Sequence, residues 1–267
     1  MHEVTLVQGI LLFIMAVICG IDMWLEGIYI FRPIIVGTLT GIILGDVKTG
    51  VMAGGLAELA FAGLTAVGGT QPPNSVLAGV MTSAIAITTG KDPKLALALA
   101  LPFSLLMQYV ILFFYSSFSF FMGKLDKHAE NADTNGFARI NWLTMAIVGL
   151  TYGIIVFLCA YAAQGPMRSI VSSMPVWLTN GFSIAGGLLP AIGFAMLLRI
   201  MMKVQYIPYL IFGFVFVCFI PFGNILPVAA LGTAFGLFEF FKQKNATQVQ
   251  PAAANNMKDE EDYSDGI

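Results

Sequence analysis

The feature that most constrains this chain is a series of long apolar runs with almost no charge inside them. They fall at about 4–21, 28–44, 51–67, 75–89, 95–122, 142–163, 176–202, 207–222 and 226–241. A helix needs roughly 20 apolar residues to cross the hydrocarbon of a bilayer. Within that hydrocarbon each backbone N–H and C=O must be satisfied by protein, and runs of this length meet the demand as helices. The sequence therefore predicts an all-α, polytopic integral membrane protein. Composition agrees: 58% of residues are hydrophobic and 10% are charged, against roughly 25% charged in a soluble domain. The mean hydropathy of +0.84 also excludes a disordered chain, which needs low hydrophobicity.

Several function classes fall away at once. A net charge of −2 offers no basic face for nucleic acid. Cys19, Cys159 and Cys218 sit in apolar runs at spacings that fit no metal or redox motif. His2 and His128 lie outside the apolar runs, so no intramembrane histidine can ligate a metal or carry phosphate. No Walker, Gly-x-Ser-x-Gly or His-Glu-x-x-His sequence occurs. Neither a catalytic centre, a cofactor nor a metal site is expected. The opening Met1-His2-Glu3 lacks a basic region, and no secretory signal is expected.

The runs 51–67 and 75–89 are short for a full crossing and rich in Gly and Ala. Between them lies Gly68-Gly69-Thr70-Gln71-Pro72-Pro73-Asn74, where the prolines forbid helix. Interrupted apolar segments point to discontinuous helices in transporters, so residues 51–89 are expected to form a re-entrant helical hairpin around a polar tip. Residues 123–141 are expected to be the long polar internal loop. Lys242 and Lys244 follow the last run and favour a cytoplasmic C-terminus by the positive-inside rule. Two regions are expected: a membrane domain over 1–241 and an acidic, disordered cytoplasmic tail over 242–267, which carries Lys258-Asp259-Glu260-Glu261-Asp262.

An ionisable residue inside a membrane is a functional candidate by default. Glu58, flanked by Leu56-Ala57 and Leu59-Ala60, is the foremost. Its carboxylate can accept two hydroxyls of a polar solute; alternatively it is a scaffold group paired with a base such as Arg32. Gln71 and Asn74 offer donor and acceptor amides at the hairpin tip, or they cap turns around the prolines. Asp46 reads as a turn residue between two runs. Asp22 and Glu26 bracket Trp24 at a helix end and read as interfacial anchors. Asn180-Gly181 before Gly186-Gly187 marks a second polar break, and Gln108 is a lone amide that could bridge helices.

At these residues the chain resembles a known family. Arg32-Pro33, Gly45-Asp46-Val47-Lys48-Thr49-Gly50, Gly54-Gly55 with Glu58, and Thr179-Asn180-Gly181 before Ala185-Gly186-Gly187 are similar to the membrane EIIC subunits of the mannose-sorbose family. These are sugar permeases of the bacterial phosphoenolpyruvate-dependent phosphotransferase system. Gly69-Thr70-Gln71-Pro72-Pro73-Asn74, Leu101-Pro102-Phe103-Ser104 and the ending Asp262-Tyr263-Ser264-Asp265-Gly266-Ile267 look like the branch specific for N-acetylgalactosamine and galactosamine. Mannose members tend to have Ala-Pro-Asp where this chain has Pro72-Pro73-Asn74.

The resemblance implies the mannose-family EIIC fold, a multi-pass protein of the bacterial inner membrane, and a non-catalytic transport subunit. It implies an EIID membrane partner, a trimer of IIC–IID heterodimers, and phosphorylation of the incoming hexosamine by cytoplasmic EIIB, recharged by EIIA. It also implies sugar contacts at Glu58, Gln71 and Asn74, with Asp46 and Asn180 as further candidates. An ion-coupled secondary sugar transporter, a mannose- or sorbose-specific EIIC, and a receptor that passes no solute stay open as alternatives.

Overall fold

The computed structural model describes residues 3–64, 72–220 and 226–248. They form helices α1 (Leu6–Leu25), α2 (Pro33–Leu44), α3 (Val47–Phe61), α4 (Ser75–Thr89), α5 (Pro93–Glu130), α6 (Thr134–Phe157), α7 (Gln164–Ser173), α8 (Val176–Met201), α9 (Ile207–Phe219) and α10 (Leu226–Gln248). A π turn, Leu158–Ala162, extends α6, and a 3₁₀ turn, Val204–Tyr206, precedes α9. No strand occurs among the described residues. Among the described residues, four stretches are long and apolar enough to cross a membrane: Leu6–Leu25, Pro93–Glu130, Thr134–Ala162 and Val176–Met201. Their outer faces carry exposed Leu, Ile and Phe, such as Ile10, Ile14 and Ile18 on α1. Apolar exposure on this scale suits lipid rather than water.

The chain divides into two compact units, residues 1–201 and 202–267. In the first, α2, α3 and α4 pack on one another, and α5 and α8 pack against this group, while α1 pairs with α6. At about 1.5 Å per residue, α2 spans roughly 18 Å and α3 roughly 22 Å, well short of the roughly 30 Å of hydrocarbon. Neither is long enough to cross alone, and a tight turn joins them, whose Gly45 has a left-handed φ of 86°. Glycines set how near they come. A Cβ at Gly37 would lie 2.6 Å from Gly54 Cα, and one at Gly41 would lie 2.8 Å from Gly50 Cα. Small residues let membrane helices approach backbone to backbone, which compensates for the missing hydrophobic drive between helices in lipid.

α4 is the centre of this unit, with every residue from Val76 to Thr89 buried. Its buried threonines are satisfied within the helix: Thr82 donates to Ala78 O at 2.6 Å, Thr88 to Ala84 O at 2.7 Å and Thr89 to Ile85 O at 2.6 Å, while Ser83 reaches Gly50 O of α3 at 3.5 Å. The run predicted over 75–89 has the observed bounds. The hairpin tip is only partly visible, because 65–71, and with them Gln71, lie outside the described residues.

The expected polar loop at 123–141 is mostly helix. α5 continues to Glu130, α6 begins at Thr134, and only Asn131–Asp133 separates them. Asp133 is responsible in part: its carboxylate accepts from Gly136 N at 2.9 Å and lies 2.9 Å from His128 Nδ1, fixing the N-terminus of α6. Those contacts hold its carboxyl below the ordinary carboxylate range. Polar residues here continue membrane helices past the apolar core instead of ending them. An unexpected short amphipathic helix, α7, ties down the N-terminus: Gln164 accepts from Val4 N at 2.8 Å and donates to Val4 O at 3.0 Å.

In the second unit α9 and α10 form a hairpin in which Tyr209 Oη donates to Glu239 Oε2 at 2.9 Å. No α9 residue is buried. α10 runs to Gln248, past the expected domain end at 241. Residues 249–267, most of the expected acidic tail, lie outside the described residues.

Candidate functional site

Glu58 lies one turn before the end of α3, on the face that meets the start of α2. There its Oε1 is ion-paired with Arg32 Nη2. Its other oxygen accepts from Ile34 N at 3.3 Å. The geometry follows from local sequence. Pro33 occupies the first turn of α2, where its missing N–H costs nothing, and Arg32 is held in extended backbone as the N-cap (φ −63°, ψ 134°). Ile34 N is one of the free donors at that helix start, and the carboxylate reaches it as well as the guanidinium. The side chain of Glu58 is 17% exposed and that of Arg32 44% exposed. The pair is therefore open on one side, facing a cleft of about 360 Å³ lined also by Met23, Glu26, Tyr29, Phe61 and Pro72. That volume lies within the rough 300–1,000 Å³ range of small-molecule sites.

The cleft wall between α1 and α2 is an irregular loop with an unusual backbone. Glu26 has φ 49° and Tyr29 has φ 64°, left-handed conformations that cost a non-glycine residue on the order of 1–3 kcal/mol each. Asp22 holds the loop in place: its carboxylate accepts from Ile28 N at 2.8 Å and Ile30 N at 2.6 Å. Asp22 is itself 6% exposed, so it is not the interfacial anchor expected from sequence. It pairs two backbone donors of a loop that has no secondary structure to satisfy them. Nothing in the order of residues 22–30 announces this, because the partners are backbone groups.

Asn74 stands at the start of α4. It is 1% exposed and caps α4, its Oδ1 accepting from Leu77 N at 2.9 Å. Its Nδ2 donates to Tyr152 Oη at 2.5 Å, and Met23 Sδ lies 3.4 Å away. Its backbone is engaged too: Asn74 N donates to Ser104 O at 3.1 Å, and Ser104 Oγ donates to Asn74 O at 2.8 Å. Of the two readings open in sequence, the turn cap is the one whose contacts are present. Tyr152 was not singled out by sequence; an aromatic residue in an apolar span gives no sign that its hydroxyl is the partner of a distant amide.

Two sequence candidates stand apart from the cleft. Asp46 caps the opposite end of α3, accepting from Thr49 N at 3.1 Å and Thr49 Oγ1 at 2.6 Å. Twelve residues of helix put it roughly 18 Å from the level of Glu58. Those hydrogen bonds hold its carboxyl below the ordinary range. Asn180 lies exposed on α8. The part of α8 at the level of the cleft is Gly193, where a Cβ would lie 2.7 Å from Ala60 O. That is thirteen residues, or roughly 20 Å, further along. No cluster of metal-ligating side chains occurs among the described residues.

Comparison with known proteins agrees with this architecture. A family profile described as the sorbose-specific IIC component of the phosphotransferase system matches residues 6–238. The chain is 60% identical to N-acetylgalactosamine permease IIC component 1 of Escherichia coli K12, over 100% of both chains. It is 31% identical to the sorbose-specific EIIC component of Klebsiella pneumoniae, over 94% of this chain and 95% of that one. A solved membrane-protein structure superposes with a TM-score of 0.80 at 28% identity, covering 89% of this chain and 96% of that one. The structure of the mannose transporter ManYZ with microcin E492 superposes with a TM-score of 0.58 at 28% identity, with the same coverage of 89% and 96%. The match of sequence over the whole membrane region, together with the shared all-helical architecture, places this chain in the sorbose-type IIC family of phosphotransferase-system permeases.

Proposed function

We propose that this chain is the EIIC permease of an N-acetylgalactosamine or galactosamine phosphotransferase system. It sits in the bacterial inner membrane and carries the sugar inward for phosphorylation by a separate subunit. The observation that carries this reading is the 60% identity over the full length of an N-acetylgalactosamine permease IIC component. The cleft supports it physically. A carboxylate and a guanidinium side by side can accept from and donate to neighbouring hydroxyls, and bonds to charged groups are the stronger ones. Glu58, with Arg32, is the sugar contact, and Gln71 at the tip is a second. Asn74 acts by holding the start of α4. Asp46 and Asn180 serve the sugar at another stage of transport, since neither shares the cleft.

The chain performs no phosphoryl transfer. Its histidines, His2 and His128, lie outside the apolar runs. The phosphate comes from EIIB, and a EIID subunit completes the passage. The test uses vesicles containing this chain with or without its EIID, supplied with phosphoenolpyruvate and the soluble components. Phosphorylated N-acetylgalactosamine should form only when EIID is present. Product formation without EIID would overturn the partner dependence. Uptake driven by a proton gradient, without phosphoenolpyruvate, would assign the chain to ion-coupled transport instead.

A further inference from the structure

Tyr29 and Phe31 are the aromatic residues of the strained loop between α1 and α2. Their rings lie 5.4 Å apart at 37°, and both line the cleft beside Arg32 and Glu58. Tyr29 is 51% exposed although it is bulky and left-handed. A chain has no packing reason to keep a large ring in a costly conformation where it buries only half its surface. Strain of this kind persists where the surroundings over-determine it, and it concentrates at ligand sites. Here the surroundings are the two hydrogen bonds from Ile28 N and Ile30 N to buried Asp22. Phe31 leads directly into Arg32, the N-cap of α2, so the rings and the ion pair are fixed by one short piece of backbone.

A pyranose ring has two kinds of surface. Its hydroxyls need donors and acceptors, while its axial C–H groups form an apolar face. In a galacto-configured ring the C–H groups at positions 3, 4 and 5 fall on the same side, giving a broader apolar face than in the gluco epimer. The cleft offers a complement to both surfaces. Glu58 and Arg32 suit hydroxyls, and an aromatic face, which carries partial negative charge, suits polarised C–H groups.

We propose that Tyr29 and Phe31 form an aromatic platform on which the galacto-configured ring stacks while its hydroxyls engage the Arg32–Glu58 pair, with Asp22 holding the platform in register. This rests on the transport reading above, and it assigns the epimer preference of the site to a π face. The phenol hydroxyl of Tyr29 is not required; the ring is.

The test measures N-acetylgalactosamine and N-acetylglucosamine binding calorimetrically on the assembled IIC–IID complex. Tyr29→Phe should bind within about twofold of wild type, whereas Tyr29→Leu should weaken N-acetylgalactosamine by about tenfold and shrink its advantage over the gluco epimer. Tyr29→Gly removes the ring while suiting the left-handed backbone, so it should lose affinity with the complex intact and separates a missing ring from a disturbed loop. Wild-type affinity in Tyr29→Leu and Tyr29→Gly would overturn the platform and leave Tyr29 as an interfacial aromatic. Equal losses in Tyr29→Phe and Tyr29→Leu would also overturn it. If the wild-type complex binds neither sugar, the transport reading fails and the platform falls with it, whereas loss confined to the platform leaves wild-type binding in place.

Discussion

The two ends of α3 carry one carboxylate each, and they are used in opposite ways. Asp46 is satisfied within three residues, by Thr49. Glu58 reaches across 26 residues to Arg32 and stays open to a cleft. Asp46 spends both oxygens on one residue of its own helix, whereas Glu58 divides its oxygens between Arg32 and Ile34 at the start of α2. A carboxylate whose partner comes from another helix can exchange part of that contact for a ligand. The difference shows that the presence of an acid in a membrane helix is a weaker sign of function than where its partner comes from.

The largest effect expected from breaking this contrast is at Glu58. Glu58→Gln keeps the shape and removes the charge, and it should weaken N-acetylgalactosamine binding by about tenfold or more, since charged hydrogen bonds contribute roughly 1.5–3 kcal/mol each. Calorimetry on the purified IIC–IID complex reads this directly. The exchanged double variant Arg32→Glu with Glu58→Arg sharpens the result, because it can re-form an ion pair between the helices. Assembly should return and affinity should not; recovery of both would reduce Glu58 to a scaffold residue.

Next in size is Asn74, a residue near the cleft that is closed like Asp46. Asn74→Ala removes the cap of α4 and the amide partner of Tyr152. Loss of an N-cap alone costs about 0.5–2 kcal/mol, so the complex should melt at a lower temperature. Sugar affinity, measured below that melting point, should fall less than in Glu58→Gln. A larger affinity loss in Asn74→Ala than in Glu58→Gln, with the melting temperature unchanged, would make Asn74 a direct contact.

The smallest effect belongs to Asp46. Its carboxyl lies below the ordinary range because Thr49 donates to the ionised form. A depressed folded value means that the stabilisation is complete above the unfolded value, near pH 4, and is lost as pH falls through the folded value. Asn is itself a good N-cap, so Asp46→Asn should leave transport at pH 7 near wild type. Thermal melting below about pH 4 should show a shallower acid loss in the variant than in the wild type. A large transport defect at neutral pH would place Asp46 in the sugar path and erase the contrast between the two ends of α3.

The membrane class, the helical backbone and the bounds of several helices were legible because hydropathy belongs to contiguous residues. The run 75–89 coincides with α4, and the run 176–202 differs from α8 by one residue. The exceptions were helix ends. Polar residues after Met122 marked where lipid stops, while the backbone continued helical to Glu130, since leaving the hydrocarbon does not end a hydrogen-bond ladder.

Glu58 was visible in the same way, as a charge where hydropathy forbids one. By itself, then, the sequence determined that this chain spans a membrane in helices and which charge is out of place there. The sequence offered Arg32 as a partner for that charge, and only the tertiary structure decided that the pair forms. The Arg32–Glu58 pair, the Asp22 clasp on the backbone at 28 and 30, and the Asn74–Tyr152 contact across 78 residues depend on which helices meet. In this chain, glycines at Gly37, Gly41, Gly50 and Gly54 permit that meeting without specifying it, because a missing side chain allows close approach but names no partner.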